Sequence, residues 1–289
     1  MLDCHRWYIL KQDSDMSVSY ECEESINIRT DGDTETPEVV DVAVLSVKGS
    51  LVMVVSDHNN NCLKSFYTKD GRKHNTKVKT KGKPLGLAKL SSNRIAAAVW
   101  PNRLVLVEAT PDLQLLSVLE TCRQYRGLAA LADSTLAAAS LSQYIDILDG
   151  NGDVLRSIPV PITDQNMGPV SYFLHASLST NILVSDYGSK SVYCVTSWGG
   201  VVFTYTPRGE TELKEPRGIT VTRSGDILLA DWSANAIIHL SEDGQFEKNI
   251  LSGEDGVAKP FGLCVDDQDR LYVCLPGGEV KVFRRTSLG

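Results

Sequence analysis

The chain has 289 residues, 42% of them hydrophobic, and a formal net charge of −7 at a pI near 5.3. That is apolar material for a large buried core, yet no run of about 18 apolar residues is present to cross a membrane. The acidic balance excludes a nucleic-acid footprint spread over the whole surface and leaves room only for a local basic patch.

The N-terminal stretch carries Asp13, Asp15, Glu21, Glu23, Glu24, Asp31, Asp33, Glu35 and Glu38 and reads as a solvated acidic arm. It opens Met1-Leu-Asp-Cys-His-Arg-Trp-Tyr8, without the apolar stretch of a signal peptide. Within the arm, residues 18–22 and 26–29 alternate as strands do, and residues 7–10 are a third strand candidate. The seven cysteines are scattered, with only Cys264 and Cys274 close enough in sequence to sit on adjacent strands. An odd, scattered set predicts a reduced, cytoplasmic protein.

Strands are predicted next over 42–45, 51–55 and 62–67, followed by a basic segment, 69–83. In Lys77-Val-Lys-Thr-Lys-Gly-Lys83 the lysines alternate, so on one outer strand Lys77, Lys79, Lys81 and Lys83 project as a row of positive charge. Such a row contacts the phosphates of RNA or another anionic partner, or else it guards a sheet edge against unwanted pairing. Residues 95–99, 128–132 and 136–139 are rich in alanine, which is expected where strands crowd a central channel. Asp149-Gly-Asn-Gly-Asp153 begins like a calcium loop, but Val154 and Val160 stand where glycine and glutamate would be needed, so a hairpin turn is predicted. The links 159–168 and 208–215 are long and polar, as contact loops are.

A repeat organises these pieces. Pro-x-Gly-(Ile/Leu) recurs as Pro84-Leu-Gly-Leu87, Pro216-Arg-Gly-Ile219 and Pro260-Phe-Gly-Leu263, as Tyr125-Arg-Gly-Leu128 without its proline, and in weaker copies at Pro169 and Val39. The anchors at 39, 84, 125, 169, 216 and 260 are spaced 45, 41, 44, 47 and 44, the length of a four-stranded blade. In the cleanest copy the strands read 219–221, 227–230, 235–240 and 249–251. The last copy has room for three, 263–265, 270–274 and 280–283, so its fourth must come from the N-terminal segment. The expectation is an all-β, six-bladed β-propeller of four-stranded antiparallel blades. It spans 1–289 as a single unit, with residues 1–36 completing the last blade and removing the open edges.

A second signature is an apolar strand ending in aspartate before a polar turn, as in Val54-Val-Ser-Asp57, Leu183-Val-Ser-Asp186 and Leu229-Ala-Asp231. Together with Pro-x-Gly, this resembles the NHL repeat over about residues 37–285. A six-bladed ring of that kind, ending Val280-Lys-Val-Phe-Arg-Arg285, is similar to the C-terminal domain of tripartite-motif (TRIM) ubiquitin ligases. The resemblance implies a domain that recognises a protein substrate or RNA while a zinc-binding RING domain, absent from this chain, performs the catalysis.

No nucleophile elbow, phosphate loop or Cys-x-x-Cys pair is present. The predicted innermost strands, 42–44, 87–89, 128–130, 172–174, 219–221 and 263–265, are almost wholly apolar, which argues against a metal-dependent hydrolase or lyase in the channel. No cofactor, metal or small-molecule substrate is expected. In a meander the turns between second and third strands share a face with the links between blades. That face would collect His58, Trp100, Arg103, Tyr125, Arg126, Tyr187, Arg217, Trp232 and Phe261. Aromatic and arginine side chains anchor protein interfaces, and the same set stacks on single-stranded RNA.

Overall fold

Along the chain, apolar β-branched runs are cut by turns bearing glycine or aspartate, and successive runs pair back on one another as antiparallel meanders. The structure, a computed structural model, describes residues 18–131, 134–142, 144–160 and 172–287. After β1 (Val18–Asn27), blade 1 is β2 (Val39–Val47), β3 (Ser50–Asp57), β4 (Cys62–Lys69) and β5 (Arg72–Lys79). Blade 2 is β6 (Pro84–Lys89), β7 (Arg94–Val99), β8 (Arg103–Ala109) and β9 (Leu113–Glu120). Blade 3 is β10 (Tyr125–Ala130), β11 (Leu136–Ser140), β12 (Tyr144–Leu148) and β13 (Val154–Pro159). Blade 4 is β14 (Tyr172–Ala176), β15 (Ile182–Asp186), β16 (Ser191–Val195) and β17 (Val201–Tyr205). Blade 5 is β18 (Pro216–Val221), β19 (Ile227–Asp231), β20 (Ala236–Leu240) and β21 (Phe246–Leu251). Blade 6 runs β22 (Leu263–Val265), β23 (Arg270–Leu275), β24 (Glu279–Ser287) and then, outermost, β1. The protein is an all-β six-bladed propeller, and among the described residues helix is limited to short 3-10 turns such as Gly209–Thr211 and Gly253–Asp255.

The closing strand joins two of the sequence candidates. β1 pairs antiparallel with β24 from Val18 opposite Ser287 to Asn27 opposite Glu279, absorbing a bulge between Cys22 and Glu24. The third candidate, residues 7–10, lies outside the described residues, as do Pro169 and residues 161–168 of the first long link.

The second strand of each blade is buried on both faces because a blade is wedged between two others, so consecutive side chains serve opposite seams, while outermost strands such as β5 and β17 are largely exposed. In β7, Ile95, Ala97 and Val99 join the cluster shared with blade 1, while Ala96 and Ala98 join the cluster shared with blade 3. Six such clusters fill the six seams. Two-sided burial is why these strands read as continuous apolar runs and not as alternation. It also corrects the expectation for the alanines of 95–99 and 136–139: β7 and β11 are second strands, and Ala96, Ala98 and Ala138 thin the seam between blades 2 and 3, whereas residues 128–130 do lie on an innermost strand, β10.

The aspartates that end β3, β15 and β19 knot the turns on one face. Asp231 accepts the N–H groups of Lys214 (2.7 Å), Glu215 (3.0 Å) and Ala234 (3.1 Å), tying the incoming link to the turn after β19. Asp57 does the same for Glu38 and Asn60, while Asp186 braces its own turn by accepting Gly188 N–H and the Ser189 hydroxyl. The stretch 149–153 is a turn between β12 and β13, in which the Asp149 carboxylate takes the N–H groups of Asn151 and Asp153.

Candidate functional site

The Pro-x-Gly repeat builds a mouth at the start of the inner strands. Val39, Pro84, Tyr125, Tyr172 and Pro216 each begin an inner strand opposite the last residue of their blade's second strand. In four of these the ladder skips directly after that residue, a bulge that frees the next side chain from the sheet. The freed position and its equivalents are Val40, Leu85, Arg126, Phe173, Arg217 and Phe261, one from each blade, and all six line one cavity of about 430 Å³. Glu38, His58, Lys83, Gly86, Trp100 and Gln124 complete its rim.

The third position explains the glycine. A Cβ on Gly86 would lie 2.4 Å from the carbonyl oxygen of Arg126, and one on Gly218 2.3 Å from that of Phe261, so each inner strand starts backbone against backbone with the next blade. Gly218 N–H uses that approach to donate to Phe261 C=O at 2.9 Å. Blade 1 has Asp41 there instead. Its carboxylate crosses the gap and accepts Leu87 N–H of blade 2 at 2.8 Å as well as its own neighbour Val42 N–H at 2.9 Å.

Burial pushes Asp41 up to about 7, against the two N–H bonds that favour its charged form. The half-buried Cys264 thiol and the buried Cys274 thiol both feel its charge. A carboxyl whose folded value lies above its ordinary 3.8 stabilises the fold most at low pH, and that contribution is lost as pH rises towards 7. Asp41→Asn should therefore flatten the fall in urea stability between pH 4.5 and 7; an unchanged slope would remove Asp41 as its source.

The mouth is electrostatically lopsided. Arg126 and Arg217 project from blades 3 and 5 on either side of Phe173. Arg217 pairs with Glu215 and stacks on two rings, 4.9 Å from the Tyr187 centroid and 5.1 Å from that of Phe261. Phe261 in turn meets Phe173 edge to face at 5.5 Å. Arg126 makes no hydrogen bond or ion pair among the described residues, and the Nε atoms of both arginines are buried without a partner. Burial, reinforced by the like charge of Arg217, lowers the Arg126 pKa. His58 donates from Nδ1 to Pro84 C=O at 3.3 Å; burial, with Lys83 and Arg126 nearby, lowers its imidazole pKa.

The structure brings together His58, Trp100, Arg126, Arg217 and Phe261, sets Tyr187 beneath Arg217, and adds Lys83. Trp232 lies further out, under Lys259 Nζ at 4.7 Å. Two residues expected on this face are elsewhere. Tyr125 is a core residue whose hydroxyl donates to buried Asp146 at 2.7 Å, so its ring cannot meet a ligand. Arg103 is held outward, its Nε on Glu120 at 2.7 Å and an Nη on Lys81 C=O at 3.2 Å.

The lysine row is also broken. β5 stops at Lys79 because Thr80 is buried, its N–H on Asn61 C=O and its hydroxyl on Gly82 C=O, which turns the chain. Lys77 and Lys79 are spent on the carbonyls of Asp31 (2.6 Å) and Asn60 (3.0 Å). Lys81 takes a left-handed backbone, φ 55°, beyond the strand, and Lys83 reaches the mouth.

Phe173 and Asp41 were not singled out in the sequence. Counting back across the hairpin from Asp186 sets the fourth inner strand to begin at Tyr172, three residues after Pro169, and so places Phe173 at the mouth. Asp41 occupies the glycine position of the poorest copy of the repeat. Among the described residues, no three His, Cys, Asp or Glu side chains are grouped so as to hold a metal ion.

No family model matches the chain, and no curated protein matches it in sequence. Among solved structures it is similar to virginiamycin B lyase from Staphylococcus aureus, with 13% identity and a TM-score of 0.62 over 94% of this chain and 100% of that one. It is also similar to a protein of unknown function from Bacteroides thetaiotaomicron (12% identity, TM-score 0.65, 93% of this chain and 76% of that one). A third match is the WD40 β-propeller domain of Doa1, at 12% identity and a TM-score of 0.58 over 91% and 96% of the two chains. At such identities the likeness is one of fold alone.

Proposed function

We propose that this propeller is a non-catalytic recognition domain that seats a protein partner in the mouth lined by Arg126, Phe173, Arg217 and Phe261. It would serve as the targeting domain of a tripartite-motif, NHL-type ubiquitin ligase. The observation that carries the reading is the concentration of arginine and aromatic side chains at the one position where all six blades converge, the composition that interface hot spots favour. A second reading, single-stranded RNA, draws on the rim: Trp100 is 50% exposed and stands with Lys83 on the lining, a stacking platform beside a cation.

Arg126→Glu discriminates, because Arg126 holds no partner among the described residues and its loss should leave the melting temperature within about 2 °C of wild type. Purified wild-type and variant domains would be used to capture proteins from one lysate, and separately titrated with short single-stranded RNAs at about 50 and about 200 mM salt. The expected result is a captured protein that the variant loses, with RNA binding absent or abolished by salt. Sequence-selective RNA binding that survives the higher salt and is lost in the variant would favour the second reading. Capture that ignores the substitution would remove the mouth from the account.

A further inference from the structure

With the mouth as the partner's seat, on which this step rests, its chemistry narrows what the partner presents. We infer that the partner inserts a single carboxylate-bearing side chain, an aspartate or glutamate flanked by apolar residues, between Arg126 and Arg217. The two guanidinium groups come from blades 3 and 5 and have only Phe173 of blade 4 between them in the ring. Two like charges held together in a partly dry cavity repel each other until an anion arrives, and the depressed Arg126 pKa records burial first and that repulsion second. Each Nε–H is buried and unsatisfied among the described residues, a standing cost that an acceptor would remove. A planar guanidinium matches a carboxylate through paired N–H donors.

The surroundings favour a monoanion. Glu38 lies on the lining and Glu215 already occupies one arm of Arg217, so a phosphate dianion or a strand charged at each nucleotide would meet more repulsion from fixed negative charge than the single charge of one carboxylate does. The chain as a whole carries −7, which adds to the penalty for a polyanion. Phe173 and Phe261 form an aromatic wall beside the cations, which suits the methylenes and apolar neighbours of an acidic side chain. His58, kept largely neutral in the free mouth, would be drawn towards its charged form as the carboxylate enters.

The test is a phage library of random 12-residue peptides selected on the immobilised domain. The leading peptide would be resynthesised with each acidic residue changed to its amide, and binding measured to wild type, Arg126→Met and Arg126→Lys. The expected result is enrichment of peptides with one acidic residue beside apolar ones. Affinity should fall at least tenfold with the amide peptide and with Arg126→Met, and less with Arg126→Lys, which keeps charge without the fork. Acid-free peptides that still lose binding with Arg126→Met would overturn the carboxylate while leaving the mouth as a protein site. Acidic peptides that bind all three domains equally, or a library that yields no peptide while RNA binds through Arg126, would overturn both.

Discussion

Lys64→Met should cost about 3–5 kcal/mol of folding stability, the usual loss when one member of a buried ion network is removed and its partners stay charged. The Lys64 side chain is 0% exposed, and its Nζ lies 2.6 Å from Asp33 Oδ2, 2.7 Å from Asp57 Oδ2 and 3.0 Å from the Ile28 carbonyl oxygen. It thereby fastens the segment that leads from the closing strand into β2 onto blade 1. Without it, Asp57 keeps, among the described residues, the N–H groups of Glu38 and Asn60 and the Asn60 amide. Asp33 keeps Thr30 and, at 3.6 Å, the partly exposed Lys77. Burial raises the Asp33 carboxyl, but Lys64 and Thr30 outweigh it and hold the pKa below 3.8. The contribution of Asp33 is therefore full above pH 3.8 and lost as the pH falls through its depressed value. Urea unfolding at pH 7 measures the loss, and adding Asp33→Asn and Asp57→Asn to Lys64→Met should restore part of it. A single variant within 1 kcal/mol of wild type would show that the two carboxylates are satisfied without the lysine.

Gly262→Ala should be among the most damaging one-methyl changes in the ring, at about 3 kcal/mol, the upper end of what overpacking costs. A Cβ there would stand 2.6 Å from both Asp41 Cα and Val40 O and 2.7 Å from Asp41 Oδ1. These are mostly backbone atoms, and they belong to the seam where blade 6 meets blade 1. The seam cannot widen freely, because β1 already ties the two ends of the ring together. Relief must come from shifting Phe261 or Val40, so partner binding at the mouth should weaken with stability. Gly150→Ala is the control: nothing lies within 4 Å of its Cβ, and stability should stay within about 0.5 kcal/mol of wild type. Equal midpoints for the two variants would mean that the close approach of blades does not constrain the glycine.

The propeller was legible in the sequence because its signals repeat. Pro-x-Gly recurs in blades 2, 5 and 6, where the inner strand brings its backbone against the next blade, and aspartate ties the incoming link to the turn in blades 1 and 5. Both answer to the neighbouring strand or blade, a backbone carbonyl of the next blade for the glycine and the N–H groups of the incoming link for the aspartate, so they recur at the blade period. The missing strand of the last repeat pointed in the same way to closure by the N-terminal segment.

Which side chains share the mouth is a different matter, settled by partners far away in sequence. Tyr125 and Arg126 are neighbours, yet Asp146 on another strand draws Tyr125 into the core while the bulge leaves Arg126 in the opening. Four lysines alternate evenly from 77 to 83, yet carbonyls of the N-terminal segment and of the turn after β3 take two of them, and a buried threonine bends the chain before the others. Arg103 and Arg217 look alike in sequence, but Glu120 turns the first outward, while Tyr187 and Phe261 hold the second at the mouth. Period, blade number and closure were set by the chain's own repeating chemistry. The mouth was decided only by the ring, because closure alone brings the second residues of five inner strands and Phe261, two residues ahead of the sixth, spread over more than 200 positions, to one opening.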